Sequence, residues 1–205
     1  MTHAFAKLAF TPAVRAAQEI AGSRRAYSRM DEGEAHHHIL SANEAGFIGE
    51  RDSFYMASVS ETGWPYMQHR GGPAGFVRIL DERTIGFPDY AGNRQYVSVG
   101  NIGGNDRVSL FFMDYANRTR LKLLGRARVI SSSETALFQQ LAVPGYKAKV
   151  ERGIVIIVEA FDWNCSQHIK PRFDETQVAA LADGLKNRIA ELEAQLAKIP
   201  ELAAD

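Results

Sequence analysis

The chain has 205 residues, 45% of them hydrophobic, enough for one domain with a real core and some terminal additions. Lys plus Arg number 24 and Asp plus Glu number 24, so the formal net charge is zero, which argues against general nucleic-acid binding. The one cysteine, Cys165, rules out an intrachain disulfide and suits a reducing cytoplasm, and no apolar run reaches the roughly 18 residues a membrane helix needs.

Met1 to Phe10 lacks the long apolar stretch of a secretory signal, so the expectation is a soluble intracellular protein. Thr11-Pro12 opens the first helix, with Thr as N-cap and Pro at the first helical position. Val14, Ala17 and Ile20 recur at helical spacing, and Arg15, Arg24, Arg25 and Arg29 read as its solvated basic face. Asp31 to Glu34 reads as a loop. His36-His37-His38 follows, and three consecutive histidines cannot all face one point, so no metal site is expected there. Ser41-Ala42-Asn43-Glu44 has the form of a capping box and starts a short helix running to about Glu50.

Ser53 to Ser60 reads as a strand with apolar residues on both faces, which predicts burial on both sides, as in a barrel. Glu61-Thr62-Gly63 is a turn signal, and a second short run then carries Met67, Gln68, His69 and Arg70 into Gly71-Gly72-Pro73. Phe76 to Leu80 and Thr84 to Pro88 are further strands. Gly92-Asn93-Arg94-Gln95 leads into a helix from Tyr96 to Asn101, where free amides and an arginine fork suit an anion. Val108 to Met113, Arg120 to Ile130 and Gly153 to Phe161 are strands, and Ser131 to Leu141 reads as a helix. The segment from Asp162 to Arg172 is aromatic, basic and irregular. Cys165 within it has no His and Asp pattern beside it and reads as a small buried residue.

Asp174 to Ile199 is a helix whose Val178, Leu181, Leu185, Ile189, Leu192, Leu196 and Ile199 form one apolar stripe. The stripe suits packing on its own barrel or pairing with a second copy, and a role in dimerisation is the reading taken. No Walker loop, Rossmann fingerprint, zinc ligand set or nucleophile elbow is present. What remains is a β-rich core with clustered arginines, Gln68, His69 and aromatic loops, which suits an aromatic ligand bearing a phosphate.

Taken in order from about Glu44 to Arg172, five stretches resemble one family. They are Arg51 to Ala57, Gly63 to Pro73, Gly92 to Gln95, Asn105 to Val108 and Leu124 to Ala127. Together they are similar to the pyridoxamine 5′-phosphate oxidase-like, flavin-binding split-barrel family. Trp163 to Ile169 is similar to a variant subfamily of related proteins. The resemblance implies a mostly β fold, a six-stranded antiparallel split barrel, over residues 44–172; the helical patterns add an N-terminal helical extension over 1–43 and a long C-terminal amphipathic helix over 173–205. The resemblance also implies a homodimer with FMN in clefts at the interface. Carried over, Met67, Gln68, His69 and Arg70 would line the flavin, with Arg70 on the phosphate beside Asp89, Tyr90, Asn93, Arg94 and Gln95. Gln95 stands where the family has a lysine. Arg120 stands where the true oxidases carry a flavin-contacting glutamine, and Trp163 and Arg172 would close the site.

The function implied is an FMN-dependent oxidoreductase on a small unidentified substrate, with His69 as the one candidate proton donor. True oxidases end on a signature this chain lacks, which puts pyridoxamine phosphate oxidation itself in doubt. Alternatives are flavin binding without turnover and a haem-binding split barrel. No metal, nucleic-acid or membrane partner is expected.

Overall fold

The computed structural model describes residues 2–31, 35–163 and 166–197. The expectations for Asn164, Cys165 and Ile199, and most of the Asp31 to Glu34 loop, lie outside the described residues. The N-terminal part contains β1 (Thr2–His3), which pairs in parallel with β2 (Ala35–His36), and the helices α1 (Ala4–Ala9), α2 (Pro12–Ile20) and α3 (Arg24–Tyr27). Thr11 caps α2 as expected, its hydroxyl accepting from the Val14 amide at 3.4 Å. Gly22, at φ +69°, ends that helix and turns the chain, so Arg24 and Arg25 fall on α3. Arg24 is not part of a solvated face: it pairs with Asp31, and both side chains are largely buried. The apolar positions of α2 are not buried, and Ile20 is 90% exposed.

The capping box at Ser41 forms and starts α4 (Ala42–Gly49). Then come β3 (Ser53–Val59), β4 (Pro65–Gly71), β5 (Arg78–Asp81), β6 (Thr84–Tyr90), α5 (Val97–Gly104), β7 (Arg107–Asp114), β8 (Thr119–Ile130), α6 (Thr135–Gln140), β9 (Val150–Trp163) and α7 (Glu175–Leu196). The helix read over Ser131 to Leu141 shrinks to α6, because Ser131 and Ser133 bond to each other in a turn instead. β9 runs two residues into the segment read as irregular: Asp162 and Trp163 pair with Lys122 and Leu121.

The strands form one open, seven-stranded antiparallel sheet in the order β4-β3-β7-β8-β9-β6-β5, a split barrel flanked by helices. The strand beyond the six implied by resemblance comes from the short edge hairpin of β5 with β6. Its inner face is built on Phe54, which stacks on Phe112 at 4.9 Å and meets Phe87 edge-on at 5.1 Å. Met56, Leu110, Leu121, Leu123, Ile85, Ile154 and Ile156 fill the rest, all fully buried, each contributing about 1.5–3 kcal/mol. Gly125 sits at the register shift between β8 and β9, where a Cβ would stand 2.5 Å from the Ile157 carbonyl oxygen.

The expectation that β3 is buried on both faces is corrected. Phe54, Met56 and Ser58 are buried, whereas Tyr55 is 37% exposed and Ala57 and Val59 are only half-buried. The reason is that nothing among the described residues covers the outer face of β3, β4 and β7. There Tyr55, Ala57, Met67, Phe111, Met113 and Tyr115 line an apolar depression of about 340 Å³. The apolar stripe of α7 is also open, with Leu181 60% and Leu185 67% exposed. No helix among the described residues is long and apolar enough to cross a membrane.

Candidate functional site

β4 is an edge strand, and its alternation sends neighbouring side chains to opposite faces. Gln68 and Arg70 point inward, while Met67 and His69 point to the outer face, where His69 meets the Tyr55 ring edge-on at 5.5 Å. β6 lies across the open seam from β4. Its Asp89, only 8% exposed, forms an ion pair with Arg70 over that gap. The Arg70–Asp89 pair therefore pins two strands that share no ladder hydrogen bonds. Asp89 takes a second cation from behind, with Arg152 Nη1 at 3.5 Å from its other oxygen.

Between the seam and the start of α5 lies a cleft of about 260 Å³. Gln68, Arg70, Asp89, Tyr90, Asn93 and Arg94 all line it, so half of the expected site residues meet in one place. The loop into α5 is held in an uncommon conformation. Arg94 has φ +61° and Tyr96, the N-cap, has φ +54°. Non-glycine residues in that region are strained and concentrate at ligand clamps. The Asn93 carboxamide accepts from the Gln95 amide at 3.2 Å, which shapes the turn. Arg94 Nε donates to the Tyr96 hydroxyl at 3.1 Å, a bond that pushes the arginine pKa up further, and Tyr96 donates to Glu151 at 3.3 Å. Ser98 on α5 donates to Gln68 Oε1 at 3.0 Å and so fixes the amide that faces the cleft. Burial, with the neighbouring Tyr146 adding to it, pushes the Tyr90 phenol pKa up, and its hydroxyl is buried without a hydrogen-bond partner among the described residues. Arg70 Nε is buried without a hydrogen-bond partner among the described residues.

The other expected residues are elsewhere. Gln95 does not line the cleft. Arg120 sits at the outer face, its guanidinium 5.8 Å from the Phe111 ring centre and its Nε buried without a partner. Arg172 is exposed, 4.9 Å from the Tyr115 ring centre, beside the apolar depression. Met67 and His69 face the same way. Trp163 is tied instead to α4, donating from Nε1 to Glu44 at 2.8 Å and meeting Phe47 edge-on at 4.8 Å. Burial raises the Glu44 pKa, but the Ser41 hydroxyl, Trp163, the Ser41 amide and Asn43 outweigh it and hold the group below the ordinary carboxylate value. Glu151, Arg152, Tyr96 and Ser98 are site residues that sequence reasoning missed. The signal for Arg152 is the register that places it opposite Asp89, which exists only once β6 and β9 are paired.

This arrangement can hold an anion at the arginine end and a planar group along the seam. Residues 40–160, more than half of the chain, match the family described as pyridoxamine 5′-phosphate oxidase. The chain belongs to that family. No match is found among curated proteins. Among solved structures, HupZ of Group A Streptococcus is similar at 15% identity, covering 66% of this chain and 100% of that one, with a TM-score of 0.49. A protein described as a putative pyridoxamine 5′-phosphate oxidase from Lactobacillus delbrueckii is 18% identical over 61% of this chain and 94% of that one, with a TM-score of 0.47. An FMN-binding, pyridoxamine 5′-phosphate oxidase-related protein from Nostoc punctiforme is 14% identical over 55% and 73%, with a TM-score of 0.40. The family assignment rests on the matched residues 40–160, not on these distant likenesses.

Proposed function

We propose that this protein binds FMN as a homodimer in a reducing cytoplasm and uses it to transfer hydride to or from a small substrate. The observation that carries the reading is the convergence of Arg70, Arg94 and the amide of Gln68 on one cleft in a chain of this family. The residues fit the cofactor. Arg70 Nε is a buried donor with no partner, and Arg94 presents a fork at the strained turn before α5, both suited to a phosphate. Ser98 orients Gln68 towards the cleft, where its amide can bond to a flavin edge.

At about 260 Å³ the cleft of one chain is smaller than the roughly 300–1,000 Å³ of a typical cofactor site. A second copy supplies the remainder. The uncovered outer face carries Met67, His69, Arg120 and Arg172 around an apolar depression, as a two-fold interface would require. On this reading those residues act on the flavin held by the other copy, Arg120 stabilising negative charge at the N1/O2 edge and His69 serving as a proton donor. Bound FMN supplies hydride chemistry at N5, while the protein supplies orientation, charge and exclusion of water.

A second reading, flavin binding without turnover, is favoured by the fact that His69 faces away from the cleft of its own chain. Titrating the purified protein with FMN, then adding NADH or NADPH, separates the two. Quenched flavin fluorescence followed by bleaching of the bound flavin supports the oxidoreductase. Quenching without bleaching by either donor supports the storage reading. No quenching sinks both.

A further inference from the structure

At the arginine end of the cleft two of the three cations already hold carboxylates, and the third, Arg94, holds only a neutral hydroxyl. Arg70 is paired with Asp89 across the seam. Arg152 reaches the other Asp89 oxygen at 3.5 Å and Glu151 at 2.7 Å, with its guanidinium 4.4 Å from the Tyr96 ring centre. Arg94 is bonded to the Tyr96 hydroxyl, which donates to Glu151. Three arginines therefore stand against two carboxylates, leaving one net positive charge. A phosphate monoester at neutral pH carries close to two negative charges. Its dianion would leave the site net negative. It would also compete for Arg70 with Asp89, a buried carboxylate whose other cation, Arg152, stands 3.5 Å away and is shared with Glu151.

We infer that this cleft selects a singly charged phosphate, so that a monoester binds with uptake of one proton and a phosphodiester binds without it, with Asp89 and Glu151 as the residues that set this preference. The inference rests on the reading that the cleft holds a flavin phosphate. The groups facing the two carboxylates come from every neighbouring element. They are Arg70 from β4, Arg152 from β9, and Arg94 and Tyr96 from the loop before α5. Tyr90 also lines the cleft and stays neutral, because burial raises its pKa. Glu151→Gln keeps the shape and an acceptor for Tyr96 but removes one negative charge from the cleft wall, so the positive charge of Arg152 behind it is less fully answered.

The test uses the full chain and flavin fluorescence quenching by three probes, FMN, riboflavin and riboflavin 4′,5′-cyclic phosphate, between pH 6 and 8. Only the fraction of FMN with a singly charged phosphate, whose second pKa is about 6, binds without an added proton. The FMN Kd relative to riboflavin should therefore weaken about 50-fold over that range. The cyclic diester should hold a constant ratio to riboflavin. In Glu151→Gln the FMN slope should flatten and binding at pH 8 should tighten roughly tenfold or more, one charge being removed from the linkage. An FMN-to-riboflavin ratio that is flat with pH, or a Glu151→Gln protein that binds FMN more weakly at pH 8, overturns the inference while leaving flavin binding intact. Failure of all three probes to bind overturns both the inference and the reading beneath it.

Discussion

Asp89→Ala should cost about 3–5 kcal/mol of folding free energy, because it leaves a largely buried cation without its partner. The magnitude follows from the seam. Arg70 is 12% exposed, its Nε already lacks a partner, and Asp89 is its only carboxylate among the described residues. Arg152 loses one of its two carboxylates in the same substitution and keeps Glu151. In urea, with a slope of about 2–3 kcal/mol per molar, the midpoint should fall by about 1–2.5 M. The paired change Arg70→Met with Asp89→Leu should recover most of that loss, since replacing a buried ion pair by apolar groups of similar volume is close to neutral. Circular dichroism through a urea series measures both. A single variant that loses less than about 1 kcal/mol, or a double variant as unstable as the single one, would refute the claim that this pair pins the two sides of the split barrel.

Three further outcomes follow from the packing. His3 is pushed below its ordinary pKa by burial and the facing His37 and Lys122, against the pull of Asp162, and it stacks on His37 at 4.0 Å. Its folded pKa is depressed, so the stability it contributes is present above pH 6.5 and is lost as pH falls through the folded value. Protection factors of residues 2–10, exchange rates divided into the intrinsic rate at each pH, should therefore fall between pH 7 and 5, and His3→Phe should abolish that fall. Gly125→Ala should destabilise the chain by about 2–4 kcal/mol, as overpacking against backbone does, because its Cβ would stand 2.5 Å from the Ile157 carbonyl oxygen; thermal denaturation reads this directly. Ending the chain at Phe173 should weaken self-association if the open stripe of α7 packs on a second copy, and sedimentation equilibrium of the shortened and full chains would show an unchanged association constant if it does not.

Much of this was legible in the residues. The Ser41 capping box, the Thr11 cap and the runs that became the seven strands depend on local rules, namely side-chain capping and period-two patterning. The strand at β4 was legible too, but the expectation grouped Met67, Gln68, His69 and Arg70 on one ligand, whereas the alternation of the strand sends Gln68 and Arg70 to one face and Met67 and His69 to the other. What could not be read was pairing at a distance. Arg70 and Asp89 are joined by the roll of the sheet, which brings its first and sixth strands together. Glu151 and Arg152 enter the site only through the β6–β9 register, and nothing local distinguishes them from a charged strand start. Trp163 enters the expected site only through the family resemblance, at the place of an aromatic that closes it. Its indole nitrogen instead satisfies a buried carboxylate on α4, a partner 119 residues away.

The central claim is that the cleft between β4, β6 and the turn before α5 holds the phosphate of a flavin through Arg70 and Arg94. The most direct measurement is flavin fluorescence quenching at pH 6 with FMN and riboflavin on the unaltered protein and on Arg94→Ala, since Arg94 is exposed and its loss leaves the seam intact. The account predicts that the unaltered protein binds FMN more tightly than riboflavin. It also predicts that Arg94→Ala loses most of that preference, while riboflavin binding is unchanged. Equal affinity for FMN and riboflavin in the unaltered protein, or a preference that survives the loss of Arg94, would contradict it.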